Sequence, residues 1–137
     1  MFLEETLRQI ERFHGHLGPY VVIGYKMGEI ANRILGKNPF SKHAVVWTGT
    51  QPPLSCIVDG IQISSGCTLG KGNISIKLDG IAKAQFTNKD GKKIEIILKS
   101  DVKEEIDTSV TEENMIGFSE KLYQRSDNEL FDILMSI

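Results

Sequence analysis

Residues 19–35 place Ile23, Met27, Ile30, Ala31 and Ile34 on one helical stripe and Lys26, Glu29 and Arg33 on another, and the pattern stops at Gly36 before Asn38-Pro39. The chain must build a helix there, with Pro19 in its first turn. Gly24 and Gly28 stand four residues apart on one face of it, and each costs about 1 kcal/mol of helix propensity relative to alanine. Close approach of another backbone compensates, so the pattern predicts a second helix packed tightly on this face.

The flanking segments supply candidates. Leu3, Leu7 and Ile10 recur at helical spacing against Glu4, Glu5, Arg8 and Glu11, which predicts a short amphipathic helix over 3–13 that delivers Phe13 and His14 to its end. His14-Gly15-His16-Leu17-Gly18-Pro19 then breaks the pattern as a tight loop. His43 to Thr48 is β-branched and aromatic and reads as a strand, and Leu54, Ile57, Val58 and Ile61 predict a helix over 53–63 that Gly60 interrupts. Residues 64–73 carry three glycines among small polar residues and read as an exposed loop.

Residues 74–78, 82–87 and 94–96 alternate in polarity, with Asn88-Lys89-Asp90-Gly91 as turn chemistry, so a three-stranded antiparallel meander is expected. Thr111 precedes a helix running to about Gln124, and Ser126 with Glu129 forms a capping box for a final helix. With helices early and late and strands between, the fold class is α+β: helices packed on a small, mostly antiparallel sheet. A length of 137 residues suits one domain spanning 1–137.

Sixteen basic and eighteen acidic residues leave a net charge of −2, which offers no positive field for nucleic acid or anionic lipid. Apolar runs such as Val45-Val46-Trp47 fall far short of the ~20 residues a membrane helix needs. The acidic start, Met1-Phe2-Leu3-Glu4-Glu5, does not resemble a secretory signal, so the expected location is the cytoplasm. Two cysteines, Cys56 and Cys67, are too few for a disulfide scaffold.

Chemistry gathers at two places. His14-Gly15-His16 can aim two imidazoles at one divalent ion if the backbone is extended, although such a pair also occurs as an ordinary loop feature. Cys67 sits in the glycine-rich loop, where exposed amides and Lys71 would favour the thiolate, a zinc ligand and a nucleophile. Cys56 reads equally as a small apolar packing residue, a ligand, or half of a redox pair with Cys67. Asp59, one helical step from Cys56, is either a solvated residue or a carboxylate that orients an imidazole. His43 reads as surface, and Trp47 and Phe40 as core or dimer-contact residues. Gly70-Lys71-Gly72 lacks the spacing of a nucleotide-binding phosphate loop.

Taken in order, Phe13-His14-Gly15-His16-Leu17-Gly18-Pro19, Gly24, Cys56-x-x-Asp59-Gly60-Ile61-Gln62 and Gly66-Cys67-Thr68-Leu69-Gly70-Lys71-Gly72-Asn73 resemble the FmdE family, named for a component of formylmethanofuran dehydrogenase. The resemblance spans roughly residues 3 to 100. It implies an α+β core domain, commonly a homodimer, in which the His-Gly-His loop and the Gly-Cys-Thr loop converge on a metal pocket. The ligand candidates it implies are His14, His16 and Cys67, with Cys56 and Asp59 close by. This chain departs from many relatives in having Gly18 where they carry a cysteine, and it shows no C-terminal zinc-finger pattern of the kind some relatives carry.

The expectation is a metal-binding FmdE-like accessory or substrate-binding component related to molybdenum-enzyme metabolism. Its mixed nitrogen and sulfur donors suit zinc, with nickel or iron as the other candidates. The expected partners are a second copy, a larger oxidoreductase subunit and a small-molecule ligand. Two cysteines cannot hold the iron–sulfur clusters of the parent complex, so dehydrogenase activity in the isolated chain is not expected. The rival readings are a stand-alone metal- or thiol-dependent enzyme with Cys67 as nucleophile, and a metal-free interaction module.

Overall fold

The computed structural model describes residues 2–136; Met1 and Ile137 of the expected domain lie outside the described residues. Helix α1 (Phe2–His14) leads through the histidine loop into α2 (Pro19–Leu35), and a 3-10 turn at Pro39–Ser41 delivers the chain to β1 (Lys42–Val46). Helix α3 (Cys56–Ser65) crosses to β2 (Ile74–Ile76), and β3 (Lys83–Asn88) and β4 (Lys93–Leu98) follow. Helices α4 (Ser100–Ser109), α5 (Met115–Gln124) and α6 (Asp127–Leu130) precede the last strand, β5 (Phe131–Ser136). The fold is α+β. No described helix is long and apolar enough to cross a membrane.

Helix α2 is the central element. Ile23, Met27, Ile30 and Ala31 of its stripe are fully buried, and the glycines do what the sequence required of them. A Cβ on Gly24 would lie 2.0 Å from the Ile57 carbonyl oxygen, and one on Gly60 would lie 2.1 Å from that of Val21. Helices α2 and α3 therefore cross backbone against backbone. Gly60, which read as an interruption of α3, is the residue on that helix that permits the crossing.

Lys26, on the second stripe of α2, does not face solvent. It is buried, and its Nζ donates to the carbonyls of Tyr123 at 2.7 Å and Arg125 at 2.9 Å. A lysine here meets the orphan carbonyls at the C-terminal end of α5, which its charge suits.

The sheet order is β2-β1-β3-β4-β5. Strands β1 and β2 run parallel, and the remaining neighbours are antiparallel. The expected meander is thus corrected: β2 does not pair with β3 but lies on the far side of β1, because α3 is the crossover that two parallel strands require. The terminal segment is corrected as well. Ser126 does cap a helix, its Oγ accepting from the Glu129 amide at 3.3 Å, but that helix lasts four residues. Phe131 and Ile133 then turn inward at strand spacing and pair with β4. Helix α4 falls where no element was expected, on the stripe Val102, Ile106 and Val110.

Candidate functional site

The crossing of α2 and α3 sets the first turn of α3 beside the end of α1. His14 closes α1, and its side chain is 10% exposed. Gly15 follows at φ +105, a conformation that suits glycine, and its amide bonds to the Glu11 carbonyl at 2.8 Å. His14 Nδ1 stands 2.6 Å from Asp59 Oδ2. An ionised carboxylate can only accept, so Nδ1 carries the proton and, in the neutral ring, the Nε2 lone pair is left for a ligand.

His16 lies alongside, its ring centroid 4.9 Å from that of His14 with the planes tilted by 35°. A Cβ on Gly18 would come within 3.0 Å of His16 Nε2, so the imidazole lies over the bare α-carbon of that glycine.

Both rings line a cavity of about 220 Å³. Cys56, the first residue of α3, lines it too, and Ile106 and Asp107 of α4 form its opposite wall together with Tyr20. Burial, reinforced by the Asp59 charge, pushes the Cys56 thiol up from its ordinary range, so the sulfur rests protonated. Tyr20 donates its hydroxyl proton to Asp107 Oδ1 at 2.5 Å, and Lys103 Nζ donates to Oδ2 at 2.7 Å. Burial raises the Asp107 carboxyl, but the hydrogen bonds from Lys103 and Tyr20 with the Lys103 charge outweigh it and hold the group below the usual carboxylate range. Tyr20 is pushed up by burial first and by Asp107 next. Sequence reasoning missed this pair because its members stand 87 residues apart and α4 went unread. The apolar stripe of α4, with Lys103 and Asp107 four residues apart, was the signal that could have found the helix, though not its contact with Tyr20.

Over residues 13–132 the chain matches the model of the family described as FmdE, molybdenum formylmethanofuran dehydrogenase operon. The chain belongs to the FmdE family. A solved FmdE-like protein of the tungsten formylmethanofuran dehydrogenase type, from Syntrophus aciditrophicus, superposes with a TM-score of 0.73 over 98% of this chain and 71% of that one. At 20% identity that likeness is one of fold. Among curated proteins, a "Probable S-adenosyl-L-methionine-binding protein" of Archaeoglobus fulgidus is 32% identical over 77 residues, which are 53% of this chain and 20% of the relative. The chain thus spans about a fifth of that relative's length.

Within this FmdE chain the two loops do not converge as the resemblance implied. Cys56 begins α3 and Cys67 follows its end, so the ten-residue helix holds them about 15 Å apart. The histidines meet the first turn of α3, so Cys67 is absent from the cavity's lining. It has no solvent exposure and packs in the core, its amide donating to Ser65 Oγ at 3.0 Å. Burial pushes its thiol up despite the Ser65 bond and the charges of Lys42 and Lys71. The expected loop thiolate is therefore overturned, and Lys71 Nζ donates instead to the Gly66 carbonyl at 2.8 Å. Both cysteines are free thiols. His43 is exposed on β1, with Ser75 Oγ 3.5 Å from its Nε2, and Phe40 is exposed as well.

Among the described residues, no three His, Cys, Asp or Glu side chains stand together in a group that could hold a metal. The donors present fit a zinc-type ion in part. Two imidazoles are adjacent, and one has its tautomer set by a carboxylate as metal-bound histidines do. The remaining positions would fall to Cys56, after loss of its proton, or to a ligand.

Proposed function

We propose that this FmdE-family chain is a metal- and ligand-binding accessory component related to formylmethanofuran dehydrogenase and molybdenum-enzyme metabolism. His14 and His16 would hold the ion, Cys56, which lines the same cavity, would have to move in to serve as a third donor, and Asp59 would orient His14. The reading is carried by the His14–Asp59 pair, 2.6 Å apart, beside the His16 ring on a shared cavity. Zinc suits such donors, with nickel or iron as alternatives. When bound, the ion would act as a Lewis acid toward a small ligand oxygen. The chain's own residues shape the cavity: Gly18 leaves room for His16, and Ile106 and Tyr20 line it. A cytoplasmic setting, a homodimer and contact with a larger oxidoreductase subunit belong to the same proposal.

Elemental analysis of untagged protein tests it. Bound metal should be present in the wild type and in Cys67→Ala, and lost in His14→Ala and His16→Ala. Absence of metal from the wild type even after incubation with zinc, nickel or iron overturns the metal-binding reading.

A further inference from the structure

Strand β5 is the last in the sheet, so one of its edges is open. The Lys99 amide bonds to the Leu130 carbonyl at 2.9 Å, and in an antiparallel ladder such bonded pairs recur at every second residue. The register therefore turns the backbone groups of Asp132, Leu134 and Ser136 toward Ile97, Glu95 and Lys93 of β4. Phe131, Ile133 and Met135 direct theirs to the open edge. The Phe131 amide is taken by the Asp127 carbonyl of α6, whereas Ile133 and Met135 have no backbone partner on that side among the described residues.

Open edges are usually guarded by lysine, proline, a bulge or a covering element. The residues of β5, Phe-Asp-Ile-Leu-Met-Ser, include neither lysine nor proline, and their pairing with β4 runs without a bulge. Nothing covers its end, since Leu134 and Met135 are 58% and 63% exposed.

The segment is also complementary to itself. About a two-fold axis at Leu134, perpendicular to the sheet, Ile133 of one copy stands opposite Met135 of the other in a bonded pair, Leu134 meets Leu134, and Asp132 meets Ser136. Lys93 lies behind Ser136 in the same row and is exposed. At ~4.8 Å per strand it stands about 10 Å from Asp132 of the second copy, a span the two side chains cover together across the small serine. An axis at Ile133 would need the occupied Phe131 amide and would set Asp132 in the row of Glu95, like charge toward like.

We infer that the open edge of β5 is where a second copy of this chain docks, antiparallel and centred on Leu134, so that two sheets become one. The inference gives the proposed homodimer its surface and rests on that reading. Bonded pairs of Ile133 with Met135 hold the join, and the Lys93–Asp132 charges fix its register.

Sedimentation equilibrium of the untagged full chain, with amide exchange followed by NMR, tests it. The Ile133 and Met135 amides should exchange more slowly as concentration rises. Met135→Pro removes an amide that β4 does not use, so circular dichroism should be unchanged while the dimer dissociation constant rises roughly tenfold or more. Asp132→Lys and Lys93→Asp should each weaken the dimer, and the two together should restore it. A dimer that Met135→Pro leaves intact, or a double variant no tighter than either single one, overturns the inference and leaves the homodimer to another surface. A wild-type chain that stays monomeric at every concentration overturns both.

Discussion

His14 shows how much of this site is decided by one proton. With Asp59 accepting from Nδ1, the nitrogen left for an ion or ligand is Nε2; an asparagine at position 59 could donate as readily as accept and would no longer impose that tautomer. Asp59→Asn is expected to keep the fold and to weaken metal binding by about 10- to 100-fold, as read by competition with a chelator. The two thiols separate by the same local reasoning. Cys67 has no exposure and a thiol held up by burial, whereas Cys56 opens onto a cavity. Iodoacetamide on native protein should therefore label Cys56 slowly at neutral pH, and Cys67 only after denaturation, with peptide mass mapping as the check. Preferential labelling of native Cys67 would contradict its placement in the core.

At the scale of elements, the α2–α3 crossing positions everything at the site. Gly24→Ala and Gly60→Ala each drive a methyl group into a backbone carbonyl of the opposing helix, and each should destabilise the protein by about 2–3 kcal/mol or more in chemical denaturation. Gly28→Ala should cost less, because the nearest atom there is the Ser64 hydroxyl, a side chain that can turn away. Helix α4 is held differently, by Val102 and Ile106 in the core and by the Tyr20–Asp107–Lys103 hydrogen bonds. Asp107 is depressed in the folded state, so its contribution is present above its unfolded pKa of about 4 and is lost as pH falls through the lower folded value. Tyr20 is raised, so its contribution is present below about pH 10 and is lost as pH rises further. Hydrogen exchange in α4, corrected for intrinsic rates, should show constant protection between about pH 5 and 9 and a decline on the acid side. Asp107→Asn should remove that acid-side decline.

For the molecule as a whole, local patterns wrote most elements and tertiary contact assembled them. The α1 and α2 stripes, the glycine pair, the loop between them and the alternation of β3 and β4 were legible because each follows from a period within one segment. The Ser126–Glu129 cap was legible for the same reason, since its partners lie within one helical turn. What followed the cap was not: residues 131–136 become a strand because β4 offers an unpaired edge, a fact held in residues 93–98. The parallel placement of β2 likewise depends on where α3 crosses, not on the alternation of Ile74-Ser75-Ile76.

The site divides along the same line. The sequence alone marked His14, His16, Cys56, Asp59 and Cys67 as residues capable of chemistry, because side-chain type is a local property. Which of them share a cavity was decided by the length and direction of α3, a rigid rod that holds Cys56 at the histidine end and carries Cys67 about 15 Å away into the core. Tyr20 and Asp107 meet for a reason no local pattern contains: the sheet returns the chain past β4 before α4 can close over the cavity.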